Sequence, residues 1–177
     1  MKRGIATLLL PSLLALGCGS DPKPPPAAPS GETEGPAVAP AADTQKPGDD
    51  PNQANINISD EIRKACGITD TDAHFAFDSA NVRAQDRKVL GQLAKCFTTG
   101  PLKGRQMRLV GHADPRGEPE YNMVLGGRRA DNVKRVIVEE GMNDEKAATT
   151  SRGEMDATGT DEETWSRDRR VDIVLGD

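Results

Sequence analysis

The chain is poor in the residues on which most enzymes rely. Its 177 residues include three cysteines, two histidines, one tryptophan and one tyrosine, and aromatic residues make up only 3% of it. Beyond His112 with Asp114 nearby, no further His/Asp/Glu group has ligand spacing, and no metal or other cofactor is expected. No serine stands in a nucleophile-elbow sequence, and catalysis is not expected. Excess positive charge is also missing: 23 Lys and Arg stand against 28 Asp and Glu. Without a basic run the chain cannot neutralise a phosphate backbone, which argues against nucleic acid. The same lack argues against attachment to a membrane through a polybasic patch. The apolar run Ile5 to Leu16, 12 residues long, is too short to cross a bilayer, which takes about 20.

What that run does fit is an export leader. Met1-Lys2-Arg3 supplies the short basic start and Ile5 to Leu16 the hydrophobic stretch. The sequence Leu14-Ala15-Leu16-Gly17-Cys18 resembles the lipobox of bacterial lipoproteins, although Ala15 stands where a leucine is usual. The resemblance implies cleavage after Gly17 and acylation of Cys18, palmitate included; the alternative is an ordinary secretory leader cleaved elsewhere. One acyl chain holds a membrane weakly, two or more firmly. Gly19, not an aspartate, follows Cys18, which is compatible with sorting to the outer membrane. Loss of Lys2 and Arg3 with residues 1–17 leaves the mature chain at −7.

Residues 18–55 read as a tether. From Gly19 to Asn55 there is no hydrophobic period, and nine of the 13 prolines fall here. Such a segment cannot bury enough apolar surface to offset chain entropy. Its 37 residues would reach roughly 110 Å in a polyproline-like form and about 35 Å as a relaxed coil.

Residues 56–177 are long enough for one core. Ser59-Asp60-Glu61 opens a short helix, Asp60 to Cys66, that Gly67 stops. Ala73 to Asp78 reads as a strand with Phe75 and Phe77 alternating, and Asp78-Ser79 turn the chain. Val82 to Phe97 carries a helical stripe broken only at Asp86. Gln106 to Val110 is a strand, Glu118-Pro119-Glu120 opens a second long helix, and Gly141 ends it. Lys146 to Ser151 reads as a polar strand, Arg152 to Trp165 as a long acidic loop, and Arg169 to Leu175 as a last strand. The expected fold class is α/β (α+β): about four strands with two long helices packed on one sheet.

The stretch of chemical interest is Gly111-His112-Ala113-Asp114-Pro115-Arg116-Gly117, followed by the helix that carries Asn122, Leu125, Gly126, Gly127 and Arg129. Asn122, Leu125 or Gly126, and Arg129 recur on one helix face. A carboxylate accepts from an ammonium and a guanidinium takes a carboxylate in two-pronged fashion. Asp114 and Arg129 therefore suit a ligand with both groups side by side, or form a solvated turn acid and a surface ion pair; spacing alone allows either. Two mid-helix glycines each weaken the helix by about 1 kcal/mol, which close approach of a ligand or another backbone would explain. His112 is read as a strand-end histidine bonded to the backbone, not as a base or metal ligand. Cys66 and Cys96, each at a helix end in an exported chain, are expected to pair; two buried thiols are the alternative.

Phe75, Phe77, Asp78 and Ser79, then Gly111 to Asp114 with Gly117, then Asn122, Leu125, Arg129 and Ala130, and finally Asp168-Arg169-Arg170-Val171 together resemble the OmpA-like C-terminal domain, of the lipid-tethered type that associates with peptidoglycan. The resemblance implies non-covalent binding of the meso-diaminopimelate in the peptidoglycan stem peptide. Asp114 would take the ammonium and Arg129 the carboxylate, with Asn122, Asp78 and Ser79 closing the pocket and Leu125 as an apolar wall. Three positions depart from the family pattern: Ala113 and Gly126 lack hydroxyls, and Asp168 replaces an asparagine beside Arg169. The implied function is an outer-membrane lipoprotein, facing the periplasm, that tethers the membrane to the wall without enzymatic activity. An adaptor docking Tol-type envelope proteins through the loop Asp156 to Asp168 and Trp165 is the alternative, and a wall hydrolase using Asp114 and His112 a more distant one.

Overall fold

The structure, a computed structural model, describes residues 50–176. The leader 1–17, Cys18 and tether residues 18–49 lie outside the described residues. Eleven elements follow. They are β1 (Gln53–Ile58), α1 (Asp60–Cys66), α2 (Asp70–Ala73), β2 (His74–Asp78), α3 (Ala84–Thr98), β3 (Met107–His112), α4 (Pro119–Glu139), a 3-10 turn at Asp144–Lys146, β4 (Ala147–Gly153), α5 (Glu162–Asp168) and β5 (Arg170–Leu175). The strands form one sheet in the order β2-β1-β5-β3-β4. Within it β1 runs parallel to β5 and β3 parallel to β4, and the remaining pairs are antiparallel.

Five strands, not four, make the sheet, and the added one is β1. It lies between β2 and β5 and begins at Gln53, inside the stretch assigned to the tether. Ala54, Ile56 and Ile58 alternate with Gln53, Asn55 and Asn57, a period of two that a half-buried strand requires. Its first half shares the Ala, Gln and Asn of the preceding segment, which hides the onset. On the helix-covered face, Ile56 and Ile58 join Met107, Leu109, Val171 and Ile173 against Val89, Leu90, Leu93 and Phe97 of α3 and Val133, Val136 and Ile137 of α4. Each of these side chains, fully buried, contributes on the order of 1.5–3 kcal/mol. Asp86, which interrupts the α3 stripe, is buried and held by Arg83 through two bonds of 2.9 Å.

Two further readings change. The polar strand extends to Gly153, and the acidic loop contains α5. This helix buries only Asp168, so no apolar stripe announces it. Its start is fixed by Asp161 and Thr164, which cap each other's backbone N–H groups. Ser59 stands at the N-cap of α1, but its hydroxyl makes no capping bond. Cys66 and Cys96 form a disulfide between α1 and α3.

Candidate functional site

Strand β3 delivers the site through a close approach to α4. A Cβ on Gly111 would lie 1.8 Å from the Gly126 carbonyl oxygen, and one on Gly126 would lie 2.5 Å from Ser151 Oγ. The glycines therefore serve backbone contact between helix and sheet, and the missing hydroxyl at 126 faces this contact. Past Gly111 the β3–β4 register slips, so His112 stands opposite Gly153, and the Ala113 N–H donates to the Gly153 carbonyl at 2.8 Å.

The chain then turns at Asp114. Its carboxylate is 2% exposed and accepts from Arg116 three times: from the backbone N–H at 3.1 Å, Nε at 3.0 Å and Nη2 at 2.8 Å. Arg169 Nη1 adds a bond of 3.1 Å. The other sides of the same two guanidinium groups meet Glu162 at the start of α5, and the Arg116 guanidinium lies 4.2 Å over the centre of the Trp165 ring. Trp165 in turn donates to the Gly159 carbonyl, so it ties the loop to the body.

Arg129 lies behind this group and is 1% exposed. Its Nε donates to the Gln53 carbonyl at 2.9 Å and its Nη1 to the His112 carbonyl at 3.0 Å. One guanidinium thus joins α4, the edge of β1 and the end of β3. Asn122 is wholly buried and donates to the Arg116 carbonyl at 2.9 Å and to Glu154. Its Oδ1 has no hydrogen-bond partner among the described residues. Leu125, also buried, lies one turn further along α4.

Asp78 and Ser79 reach the group through β1. Gln53 pairs with Asp78 across the β1–β2 ladder, and Ser79 bonds Asn52 through both its N–H and its hydroxyl. A cleft of about 450 Å³ runs along this edge, with Asp78, Gln53 and Arg169 among its walls. The structure therefore links Asn122 to Asp114 through Arg116, ties Arg129 to His112 and Gln53, and sets Asp78 opposite Gln53; Leu125 is buried on the same helix as Asn122 and Arg129.

Arg116, Glu162 and Gln53 belong to this arrangement but were not singled out from the sequence. Arg116 had a local signal, since a residue two positions after a turn aspartate is within reach of its carboxylate. Glu162 and Gln53 had none. The Asp168 carboxylate, where the family pattern has an asparagine, accepts from the N–H groups of Thr158 at 3.1 Å and Gly159 at 2.9 Å.

The histidine reading needs correction. The His112 ring meets carboxylates, not backbone: Nε2 is 3.1 Å from Asp172 Oδ2, and Nδ1 is 3.6 Å from Asp156 Oδ2. Val110 pairs with Asp172 across β3 and β5, so side-chain alternation puts His112 and Asp172 on one face. Burial pushes the Asp172 carboxyl up, but His112, Arg170 and Asn57 outweigh it and hold it below its ordinary value. The Arg152 guanidinium does the same for Asp156. With folded values below unfolded ones, the unfolded chain protonates first as the pH falls. The stabilisation is complete above about pH 4 and is lost below it. Thermal midpoints measured from pH 6 to pH 2 should fall below pH 4, and Asp172→Asn should flatten that fall.

Comparison with known proteins places these features. Residues 74–171 match the model of the OmpA family. The chain is 34% identical over 172 residues to the peptidoglycan-associated lipoprotein of Pseudomonas aeruginosa, covering 95% of this chain and 94% of that one. It is 32% identical over 172 residues to the peptidoglycan-associated lipoprotein of Pseudomonas putida, covering 95% of this chain and 93% of that one. The crystal structure of the Burkholderia pseudomallei peptidoglycan-associated lipoprotein is 36% identical, covers 58% of this chain and 86% of that one, and superposes with a TM-score of 0.49. The chain belongs to the OmpA family, and within it to the peptidoglycan-associated lipoprotein type.

Proposed function

We propose that the domain binds the diaminopimelate-bearing stem peptide of peptidoglycan without cleaving it, and so joins the outer membrane to the wall. The observation that carries this reading is the buried Asp114 carboxylate held by the guanidinium groups of Arg116 and Arg169, the latter a wall of the cleft that Asp78 also lines. An ammonium and a carboxylate on one carbon find both complements there. Arg129 stands behind Asp114, Arg116 and Arg169 stand at the exposed side, and Asn122, Leu125, Asp78 and Ser79 shape the surroundings. The acylated Cys18 holds the outer membrane and the Pro-rich tether supplies reach, with the domain in the periplasm. No helix among the described residues is long and apolar enough to cross a membrane.

Function here is reversible holding, since a few charge-assisted hydrogen bonds without a covalent link allow exchange. A second role as an adaptor for Tol-type envelope proteins has support in Tyr121, Met123 and Val124, which leave apolar surface exposed in the first two turns of α4.

Sedimentation with insoluble peptidoglycan tests the main reading. The wild type should be retained and be eluted by free meso-diaminopimelate. Asp114→Asn, nearly isosteric, and Arg129→Ala should each weaken retention by about 10- to 100-fold, with circular dichroism checking the fold. Wild-type affinity in both variants would refute wall binding at this site, and release of soluble wall fragments would refute binding without cleavage.

A further inference from the structure

Charges alternate at the mouth of the site: Asp114, then Arg116 and Arg169, then Glu162. The two arginines face Asp114 with one side and Glu162 with the other. Arg169 Nη2 lies 2.6 Å from Glu162 Oε1, and Arg116 Nη1 lies 3.3 Å from Glu162 Oε2. Each oxygen of the Glu162 carboxylate thus meets a different guanidinium, the arrangement a bound carboxylate ligand would adopt.

The two acids differ in how firmly they are placed. The Asp114 side chain is 2% exposed and the Glu162 side chain 57%. Asp114 is built into the turn that ends β3, whereas Glu162 is the first residue of a seven-residue helix. Its contacts with the two arginines lie next to water, where an ion pair is weak.

Resting on the wall-binding reading above, we propose that Glu162 is an internal competitor for the ligand's carboxylate. The Arg116 and Arg169 edges that the ligand would use are occupied by Glu162 in the free protein. A ligand carrying both an ammonium and a carboxylate replaces the Glu162 carboxylate with its own. Its ammonium goes to Asp114, its carboxylate to the arginine edges, and Glu162 returns to solvent. A ligand with an ammonium alone offers the arginines nothing in exchange. Glu162 thereby lowers affinity for ligands whose carboxylate must replace it, in proportion to the time it occupies the arginines.

The test is a binding isotherm of the whole mature protein on insoluble peptidoglycan at neutral pH. Glu162→Gln weakens the competitor. Glu162→Asp keeps the negative charge at the helix start but shortens the arm, which guards against an effect of loosening α5. Both should bind about 3- to 10-fold more tightly than wild type. Glu163→Gln, whose carboxylate pairs with Arg167 at 2.8 Å, should bind as wild type. If wild type binds and the two Glu162 variants bind equally or more weakly, the competitor role is overturned and wall binding stands. If none of the proteins binds, the wall-binding reading falls and this inference with it.

Discussion

Gly111→Ala is expected to destabilise the domain by about 3 kcal/mol or more, at the upper end of what overpacking costs. The added methyl would fall 1.8 Å from the Gly126 oxygen and 2.6 Å from its carbonyl carbon. Both atoms are backbone of a 21-residue helix, which cannot yield as a flexible side chain can. Relief requires α4 to move off β3, and α4 carries Asn122 and Arg129. Equilibrium urea unfolding should show the midpoint shift, and wall retention should weaken with it. Gly127→Ala is the control. A methyl there meets only Ser151 Cβ at 3.9 Å, so it should stabilise the helix by about 0.5–1 kcal/mol. An unchanged midpoint in Gly111→Ala would show that helix and sheet approach less closely than the structure has them.

The second large effect is expected at Cys66–Cys96. The bridge spans 30 residues, and loop-closure entropy gives it about 3.6 kcal/mol of stabilisation. It matters beyond entropy because α1 has seven residues and buries only Ile62 completely. A helix of that length is not stable alone. Besides the bridge, Gln92 of α3 holds the end of α1 by donating to the carbonyls of Cys66 and Gly67 at 3.0 and 3.2 Å. Replacing both cysteines with serine should lower the unfolding free energy by about that amount while leaving wall affinity intact at saturating fold, since neither residue belongs to the site. A stability loss below about 1 kcal/mol would place the gain in the unfolded state's residual structure instead.

These expectations rest unequally on what could be read from residue order. Helix α1 lies where its acids and Gly67 put it, and α3, α4, β2 and β5 begin and end within two residues of the sequence reading. Each has a marker of its own: a 3.6 period, Pro119 at a helix start, or alternating apolar residues. By contrast, β1 begins in residues that look like the preceding tether, and α5 has a cap but no apolar stripe. The period of β1 is masked by tether-like composition, and α5 has no apolar period at all. The same division runs through the site. Asp114, Asn122, Leu125 and Arg129 were visible because one turn and one helix carry them.

Residue order alone placed an acid in the turn after one strand and a guanidinium on the helix that follows it. It also determined that two amphipathic helices would cover a sheet, because each of those facts belongs to a single element and its own period. Only the tertiary structure decided what each charge touches. Arg129 spends two donors on carbonyls of Gln53 and His112, Asp114 is held by Arg116 and Arg169, and Glu162 occupies the outer edges of those arginines. These partners come from strands and loops brought together by the pairing of β1 with β5 and β5 with β3. Periodicity reports which face an element buries, but the choice of ion partner depends on which distant segment arrives there.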